Sequence, residues 1–488
     1  MIVASRTSGW PAWRWELAQT IFLAVPIAIA QIAQMLMSMT DQVVMGRLGT
    51  DALAAGGLGA NIAIFLIVVC QGVLAAIGPL VSQARGAAQD GALPRGAATT
   101  GRIGDSLAGG LVVASLLAVP VILALCSAAA GLALLGEPPA LAAATGVYER
   151  AIVWGVLPAL WFGAVRTYFS AIERPRPVML VAFGGLFLNG LLNWVLVFGH
   201  LGIPALGLYG SGLATALVFW VMAVTLTGYG LVRGLIPGSQ LLSITGWELA
   251  RAVMAVSRLG WSIGALFCVE MGLFSLSAVL MGYFGAVALA GHQIAMGIGA
   301  LTFMVPFGIA QAATVRVGFH TGAGALPEAR RAGFAALALG IGFMAIMAVA
   351  LLAGRGEVIR LYLDPADPSR DAVALLGSSM LALAAVYQVF DGAQTISAGA
   401  LRGLKDTRTP LVVALIGYWG LGLTIGIVLA FWSGAGPLGF WWGFLIGLAV
   451  GAVLLTWRFD RLTRPLIAAP KDIVQAVRVQ SGPRGRAA

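Results

Sequence analysis

The sequence predicts an all-α membrane protein, with twelve transmembrane helices in two pseudo-symmetric six-helix lobes around a central cleft. Its apolar composition, its repeated long apolar runs and an internal duplication all favour this fold class. The 488-residue chain is 60% hydrophobic and 10% charged, with a mean hydropathy of +0.94. A soluble protein carries about 25% charged residues. Membrane strands are not expected, because they are about ten residues long and alternate strictly.

Twelve apolar runs are long enough to cross a bilayer, since a helix needs about 20 residues to span roughly 30 Å of hydrocarbon. Several runs are longer than this and therefore imply tilt or extension beyond the lipid. The predicted spans cover residues 17–46, 52–82, 106–135, 147–170, 177–198, 207–232, 258–284, 287–315, 332–354, 372–400, 409–432 and 438–458.

The basic residues predict the orientation of the chain. If the N-terminus is cytoplasmic, 24 of the 29 Lys and Arg residues lie in cytoplasmic segments and five lie outside. This asymmetry follows the positive-inside rule and predicts that both termini are cytoplasmic. The Arg-, Ala- and Gly-rich composition indicates a GC-rich bacterial genome, so the expected location is a bacterial inner membrane. The basic residues are scattered over seven segments, and nucleic-acid binding is therefore not expected.

An internal repeat relates the two halves of the chain. MGRLGTDALAA at Met45–Ala55 resembles MGYFGAVALAG at Met281–Gly291, at a sequence offset of 236. A second block, VWGVL at Val153–Leu157, resembles VYQVF at Val386–Phe390 at an offset of 233. Each half holds an even number of spans, so the halves are expected to be related by an axis along the membrane normal.

This repeat also predicts the domain organisation. A cytoplasmic segment (1–16) precedes a first lobe (17–232), and a cytoplasmic linker with an interfacial helix (233–257) joins it to a second lobe (258–458), followed by a cytoplasmic tail (459–488). Two lobes that rock about a central site provide alternating access, as in secondary transporters. The sequence has no G-x-x-x-x-G-K-[ST] motif of a nucleotide-driven motor.

Three carboxylates lie inside predicted spans, whereas the other acidic residues are assigned to loops, tails or span ends. These three are Asp41, Glu270 and Asp391. An ionisable group at membrane depth costs about 2.5–3.5 kcal/mol on insertion scales and often marks an ion pathway. Glu270 aligns with Gln34 of the other repeat and Asp391 aligns with Pro158, so the duplicated scaffold does not require either acid.

The first-lobe acid has candidate polar neighbours. Gln34 and Asp41 share one helical face of span one, because they are seven residues apart. Asn189 and Asn193 lie one turn apart at a similar depth in span five, and Thr215 of span six is expected to join them. A helix-packing network of hydrogen bonds is the alternative explanation for the two asparagines.

The second lobe has its own polar set. Glu270 lies near the middle of span seven, and Asp391 lies within span ten on a face shared with Gln388. His292 and Gln293 begin span eight, and ordinary packing is the alternative role for His292. We expect Gln388, His292 and Gln293 to support the acids.

Two chemistries suit such acids. A buried carboxyl group can exchange protons near neutral pH. Alternatively, Glu270 and Asp391 can contribute hard oxygen ligands to a small cation such as Na⁺. No other cofactor is expected. Cys70, Cys126 and Cys268 have no metal-site or disulfide spacing. The absence of H-E-x-x-H or a similar catalytic set argues against an enzyme.

Three segments carry a resemblance to a known family. They are TDQVVMGRLGTDALAA, VEMGLF…GYFGAVALAGHQIA and YQVFDGAQTISAGALRGLKDTRTP. Together they resemble the multidrug and toxic compound extrusion transporters, closest to the NorM-like branch. The resemblance implies an exporter that exchanges drugs for Na⁺ or H⁺. It further implies that Glu270 and Asp391 are the second-lobe cation-site acids, and that Asp41 is the first-lobe acid with Asn189 and Asn193 as partners.

The expected partners are the lipid bilayer, the coupling ion and small organic cations or other drugs, and the protein is expected to act as a monomer. A flippase of lipid-linked sugars from the same superfamily is the alternative function. Such a flippase is expected to have a cationic cavity for phosphate groups, whereas the sequence suggests almost no buried Arg in these spans.

Overall fold

The computed structural model describes residues 10–89, 97–238, 243–365 and 368–464, and its regular elements there are helices. Their bounds are as follows: α1 Trp10–Arg47, α2 Thr50–Leu74, α3 Ile77–Gln89, α4 Ala97–Cys126, α5 Ala128–Leu134, α6 Pro139–Ala171, α7 Arg176–Phe198, α8 Gly207–Val232, α9 Gly246–Gly282, α10 Ala286–Gly322, α11 Leu326–Arg360, α12 Arg370–Gly403, α13 Arg408–Ala414, a π-helical segment Leu415–Leu423, α14 Thr424–Phe431 and α15 Leu438–Thr463.

Twelve spans are long and apolar enough to cross a membrane, which agrees with the predicted fold class. Large apolar side chains such as Leu116, Phe187 and Ile346 lie exposed on the outside of the bundle. Polar side chains such as Asn189 and Asn193 are completely buried. This distribution fits a protein surrounded by lipid, where apolar atoms face the hydrocarbon and polar groups find partners inside.

The helices extend beyond most of the predicted spans. The second span is interrupted after Leu74, and α3 continues it to Gln89. Residues 246–257 of the predicted linker form the first turns of the 37-residue helix α9, so the helix expected in the linker is continuous with span seven. Thr245 and Glu248 form a reciprocal capping box there, which fixes the helix start.

The two ends of the chain also differ from the predicted boundaries. Helix α1 begins at Trp10, so the latter part of the predicted segment 1–16 is helical. Helix α15 continues to Thr463, into the predicted tail 459–488. Residues 1–9 and 465–488 lie outside the described residues. We call the membrane side on which α1 begins and α15 ends the terminal side, and the opposite side the far side.

Close helix contacts between the halves repeat about the internal symmetry. A Cβ atom on Gly72 of α2 would lie 2.9 Å from the Cα atom of Gly264 in α9. The equivalent residue Gly308 in α10 faces Ala28 of α1, and a Cβ atom there would lie 3.0 Å from that of Ala28. The sequence offset of the first repeat block relates Gly72 to Gly308 and also relates Ala28 to Gly264. Small residues therefore allow both pairs of helices to approach closely.

Candidate functional site

The first-half site is a buried carboxylate surrounded by neutral donors. Asp41 Oδ1 accepts hydrogen bonds from the amide Nδ2 atoms of Asn189 at 3.0 Å and Asn193 at 2.7 Å. Asp41 Oδ2 accepts a hydrogen bond from the Thr215 hydroxyl at 2.7 Å. Helices α1, α7 and α8 thus meet at one carboxylate, and the four side chains that the sequence placed at one depth lie together.

The orientation of the two asparagines leaves unused acceptors. Asn189 Oδ1 and Asn193 Oδ1 are buried and have no hydrogen-bond partner. Because the oxygen and nitrogen atoms of an amide are assigned from its network, rotating either amide would turn an oxygen toward Asp41. With such a rotation, Asp41 and the two amides offer hard oxygen ligands to a small cation or acceptors to a protonated carboxyl group. The cluster can therefore accommodate either a proton or a small cation.

Gln34 belongs to a different cluster from the one expected. Its Oε1 atom accepts a hydrogen bond from Arg166 Nη1 at 2.8 Å, and Gln31 accepts another from the same nitrogen. Gln71 Oε1 accepts a hydrogen bond from Arg166 Nη2 at 3.3 Å. Gln34 and Asp41 do lie on one face of α1, as predicted. Asp41, toward the far side, contacts the two asparagines and Thr215, whereas Gln34, toward the terminal side, contacts Arg166.

The second-half acids form a looser group. Gln394 Nε2 lies 3.5 Å from Glu270 Oε1, at the limit of a hydrogen bond. Glu270 interacts electrostatically with Asp391 and with the buried guanidinium of Arg402. The π-helical segment places Tyr418 beside Glu270 in a small pocket, and π-helical turns in α-helices are frequent at functional sites. Two carboxyl groups that influence each other electrostatically can compete for one proton or one cation.

The other predicted second-half residues are divided among different contacts. Gln388 is buried and accepts a hydrogen bond from the Thr302 hydroxyl at 2.8 Å, whereas its own amide nitrogen has no partner. His292 is buried, lies 3.3 Å from the Ser277 hydroxyl and packs against the ring of Trp441. The side chain of Gln293 is exposed. His292 therefore has the surroundings of a packing residue, and Gln293 does not join a buried cluster.

Glu149 is a buried acid that the sequence argument assigned to a span end. Glu149 in α6 is 1% exposed, and both of its carboxyl oxygens lack a hydrogen-bond partner. The predicted span begins only two positions before it, and this boundary assigns Glu149 to a span end. Helix α6 in fact begins at Pro139, so Glu149 lies well inside it. The signal in the sequence that could have indicated a buried acid was the position of Glu149 at the edge of an apolar run.

The expectation of almost no buried Arg in the spans is wrong. Arg166 lies inside the predicted span 147–170 and is 8% exposed. Arg316 and Arg402 lie one and two residues past the predicted spans 287–315 and 372–400, but inside the observed helices α10 and α12, and they are 3% and 5% exposed. All three arginines lie near the terminal-side ends of their helices. The hydropathy of the sequence shows that an apolar run ends there, but it does not show whether the arginine side chain points into the bundle or toward water. Buried arginines were the predicted sign of the flippase alternative, so their supposed absence no longer argues against it.

An ion-pair cluster joins the halves on the terminal side. Glu16 of α1 accepts hydrogen bonds from Arg316 at 3.1 Å and contacts His320 at 2.9 Å. Arg316 also pairs with Glu173 at 3.2 Å, and Glu173 lies 3.8 Å from Arg85. We call these five residues the terminal-side cluster. Arg316 and His320 of α10 thereby link the second half to the first half at this end.

The described residues contain no group of three or more His, Cys, Asp or Glu side chains able to hold a metal ion. The oxygen cluster around Asp41 contains one carboxylate with amide and hydroxyl partners and is therefore not a group of this kind. Cys70 is buried, whereas Cys126 and Cys268 are exposed, and all three are free thiols.

A family model described as MatE matches residues 26–195 and 263–428, which include Asp41 and its two asparagines as well as Glu270 and Asp391, but not Thr215. The chain is 41% identical over 462 residues to the multidrug resistance protein NorM of Burkholderia vietnamiensis, covering 94% of this chain and 97% of that protein. A probable multidrug resistance protein NorM of Mesorhizobium japonicum is 38% identical and covers 93% of this chain and 96% of its own length.

Solved structures share the architecture at lower identity. A eukaryotic MATE transporter superposes with a TM-score of 0.81 at 20% identity, covering 96% of this chain and 99% of that one. An outward-facing multidrug resistance MATE transporter superposes with a TM-score of 0.79 at 17% identity, covering 94% and 100%. These likenesses support the fold.

Proposed function

Since the chain belongs to the MatE family of membrane transporters, we propose that it exports organic compounds in exchange for Na⁺ or H⁺ by alternating access. The relatives named as multidrug resistance proteins support the export of several compounds. The proposed setting is a bacterial inner membrane with the terminal side facing the cytoplasm.

The observation that carries the proposal is the arrangement around Asp41. Its carboxylate is 5% exposed and its three partners are neutral. Without a fixed cation beside it, a buried carboxylate is stable only when an exchangeable proton or metal cation neutralises it, or when hydrogen bonds hold its charge. Such a carboxylate can therefore bind and release a proton or a metal cation as access alternates. A carboxylate that is already neutralised by an Arg partner is less suited to this exchange.

Glu270 and Asp391 supply a second candidate ion site. They come from helices α9 and α12 of the same half, so occupancy of the pair by one cation would draw these helices together. Arg402 lies near enough to interact with Glu270. Competition between a coupling ion and a cationic substrate for these acids gives a simple basis for antiport.

The terminal-side cluster supports a role in gating. Its ion pairs link the two halves on the terminal side. Export requires that the same contacts separate to admit substrate from the cytoplasm. We therefore propose that the structure represents the state open to the far side.

The test is transport by the purified protein in proteoliposomes. Rhodamine 123 is loaded, and Na⁺ and pH gradients are imposed separately at fixed membrane potential. We expect one gradient to drive dye export and dye movement to drive the reverse flux of that ion. Dye movement that is indifferent to both gradients would exclude coupled antiport.

The flippase alternative is favoured by one observation, the buried arginines of α6 and α12. A fluorescent lipid-linked sugar in the same liposomes tests it, with dithionite quenching of the outer leaflet as the readout. Protein-dependent translocation of that lipid, without gradient-driven dye export, would favour the flippase.

A further inference from the structure

A cavity of about 100 Å³ lies between the halves toward the terminal side. Its walls come from both halves and carry cationic, amide and hydroxyl groups. The polar lining residues used below are Gln31, Gln71, Arg166, Gln311, Thr314 and Arg402. None of the carboxylates discussed above lines this cavity.

Arg166 is buried without an acidic partner. The oxygens that accept its hydrogen bonds belong to the amides of Gln31, Gln34 and Gln71, which are neutral. Its Nε atom is buried and has no acceptor. Amides satisfy part of the hydrogen-bonding capacity of the guanidinium but do not balance its charge, so a full positive charge remains inside the bundle.

Arg402 is buried and has more unused hydrogen-bond donors than Arg166. Its Nε atom donates to the Ala398 carbonyl at 3.3 Å, whereas its two terminal nitrogens make no hydrogen bond to the described residues. Glu270 interacts with it electrostatically, and among the described residues Arg402 has no ion-pair partner within 4.0 Å. Four N–H groups of this guanidinium are thus available at the cavity wall.

We propose that this cavity binds a carboxylate group of the transported compound, with Arg402 as the principal contact and Arg166 as the second charge. A guanidinium presents two parallel donors that match a carboxylate, and such pairs are stronger than neutral hydrogen bonds. Gln311 supplies a further amide at the wall, whereas the Thr314 hydroxyl already donates to the Gly399 carbonyl at 2.7 Å. This inference rests on the proposed export function and names a substrate class for it: compounds with both an anionic and a cationic group.

The cavity volume determines how much of the substrate enters. Drug-sized sites enclose about 300–1,000 Å³, so a cavity of about 100 Å³ holds the carboxylate end of a compound and not the whole molecule. The remainder extends into the space between the halves. Glu270 and Asp391, which are partly buried in the same half as Arg402, offer negative charge to the cationic end.

A matched dye pair tests the inference. Rhodamine 110 has a free carboxyl group, and rhodamine 123 is its methyl ester, with the same cationic ring system. Binding of each dye to the purified full-length protein is measured by fluorescence anisotropy. We expect Arg402→Gln to weaken rhodamine 110 binding about tenfold or more and to change rhodamine 123 binding less than about twofold. Arg402→Lys keeps the charge but loses the paired donors, so it should give an intermediate loss.

Arg360→Gln is the matched control, because Arg360 is an exposed far-side residue. Equal losses for both dyes, or unchanged rhodamine 110 binding in the Arg402 variants, would overturn the carboxylate site. Displacement of rhodamine 110 by millimolar chloride at constant ionic strength would also overturn it in favour of a free-anion site. Should Arg402→Gln fail to fold, Arg402→Lys and Arg166→Lys decide the question. Gradient-driven rhodamine 123 export by the wild type tests the proposed function separately.

Discussion

Gly86 and Gly322 occupy equivalent positions of the internal repeat and make reciprocal contacts across the two halves of the protein. Gly86 of α3 lies directly against the Phe319 carbonyl of α10, and Gly322 of α10 lies directly against the Gln83 carbonyl of α3. Gln83 and Phe319 are related by the same sequence offset as the two glycines. One crossing of two helices thus contains a symmetric pair of contacts, and it lies on the terminal side beside the ion-pair cluster.

We expect Gly86→Ala and Gly322→Ala to weaken closure of the terminal side. Either new methyl group would meet a backbone carbonyl, and crowding of packed helices costs about 1–3 kcal/mol. Both variants should lower the melting temperature and slow dye export. Gly184→Ala is the control, because nothing lies near a Cβ atom at this helical position. Wild-type export by both crossing variants would show that this contact is not needed for closure.

The sequence predicted best those features that depend on residue spacing within a single helix. Spacing along α1 and α7 brought Asp41, Asn189 and Asn193 to one depth, and hydropathy indicated the twelve spans. Both signals depend on the short-range period of a helix. Helix ends were less predictable, because hydropathy reports the lipid-facing part of a helix, whereas caps such as Thr245 set where it begins.

Contacts between helices were the least predictable part. Gln34 shares a face with Asp41, yet it contacts Arg166, because that arginine points from α6 into the bundle. A long side chain can turn toward water or inward from the same position, and sequence spacing does not distinguish the two. The burial of Glu149 was missed for a related reason, since its depth depends on where α6 begins.

Topology is tested by labelling single cysteines in a background without Cys70, Cys126 and Cys268. Ser433 is an exposed far-side residue and Lys405 is an exposed terminal-side residue. We expect Ser433→Cys to react with a membrane-impermeant maleimide in intact cells, and Lys405→Cys to react only after permeabilisation. The positive-inside rule gives this orientation. The opposite labelling pattern would mean that the termini lie outside the cytoplasm.

The second-half acids are tested by neutral isosteres. Glu270→Gln and Asp391→Asn keep side-chain shape but remove the charge that binds a cation or proton. We expect each to reduce gradient-driven dye export at least about 100-fold, the scale of losing one essential charged group. Glu357→Gln, an exposed acid, is the control. The decisive readout is coupling: normal gradient-driven export in either variant would assign that acid a structural role.

The terminal-side cluster is tested by Glu16→Gln. Glu16 is buried against Arg316 and His320, and removing one partner of a buried ion pair costs about 3–5 kcal/mol. The variant should favour opening on the terminal side. The readout is maleimide reactivity of Ser170→Cys, a buried residue that lines the central cavity. We expect faster labelling in inside-out vesicles. Glu328→Gln, which breaks a partly exposed pair with Arg331, should leave the labelling rate unchanged.

The first-half acid is tested through the pH profile of export. Asp41→Asn keeps the hydrogen-bonding shape of the side chain but cannot exchange a proton or contribute a charge to a bound cation. If Asp41 carries the coupling proton, the wild-type rate varies with external pH and the variant's rate is lower and nearly constant. Asn193→Ala removes the shortest amide contact, at 2.7 Å, and should shift the profile without abolishing export.

The matched control is Asp51→Asn, because Asp51 is an exposed acid in the first turn of α2. Measurements at fixed membrane potential separate a change in protonation from a change in driving force. If Asp41→Asn and the wild type have the same profile, Asp41 is not a proton carrier. A flat wild-type profile together with Na⁺-dependent export that Asp41→Asn abolishes would instead assign the cluster to Na⁺, for which the two unpartnered asparagine oxygens are suitable ligands.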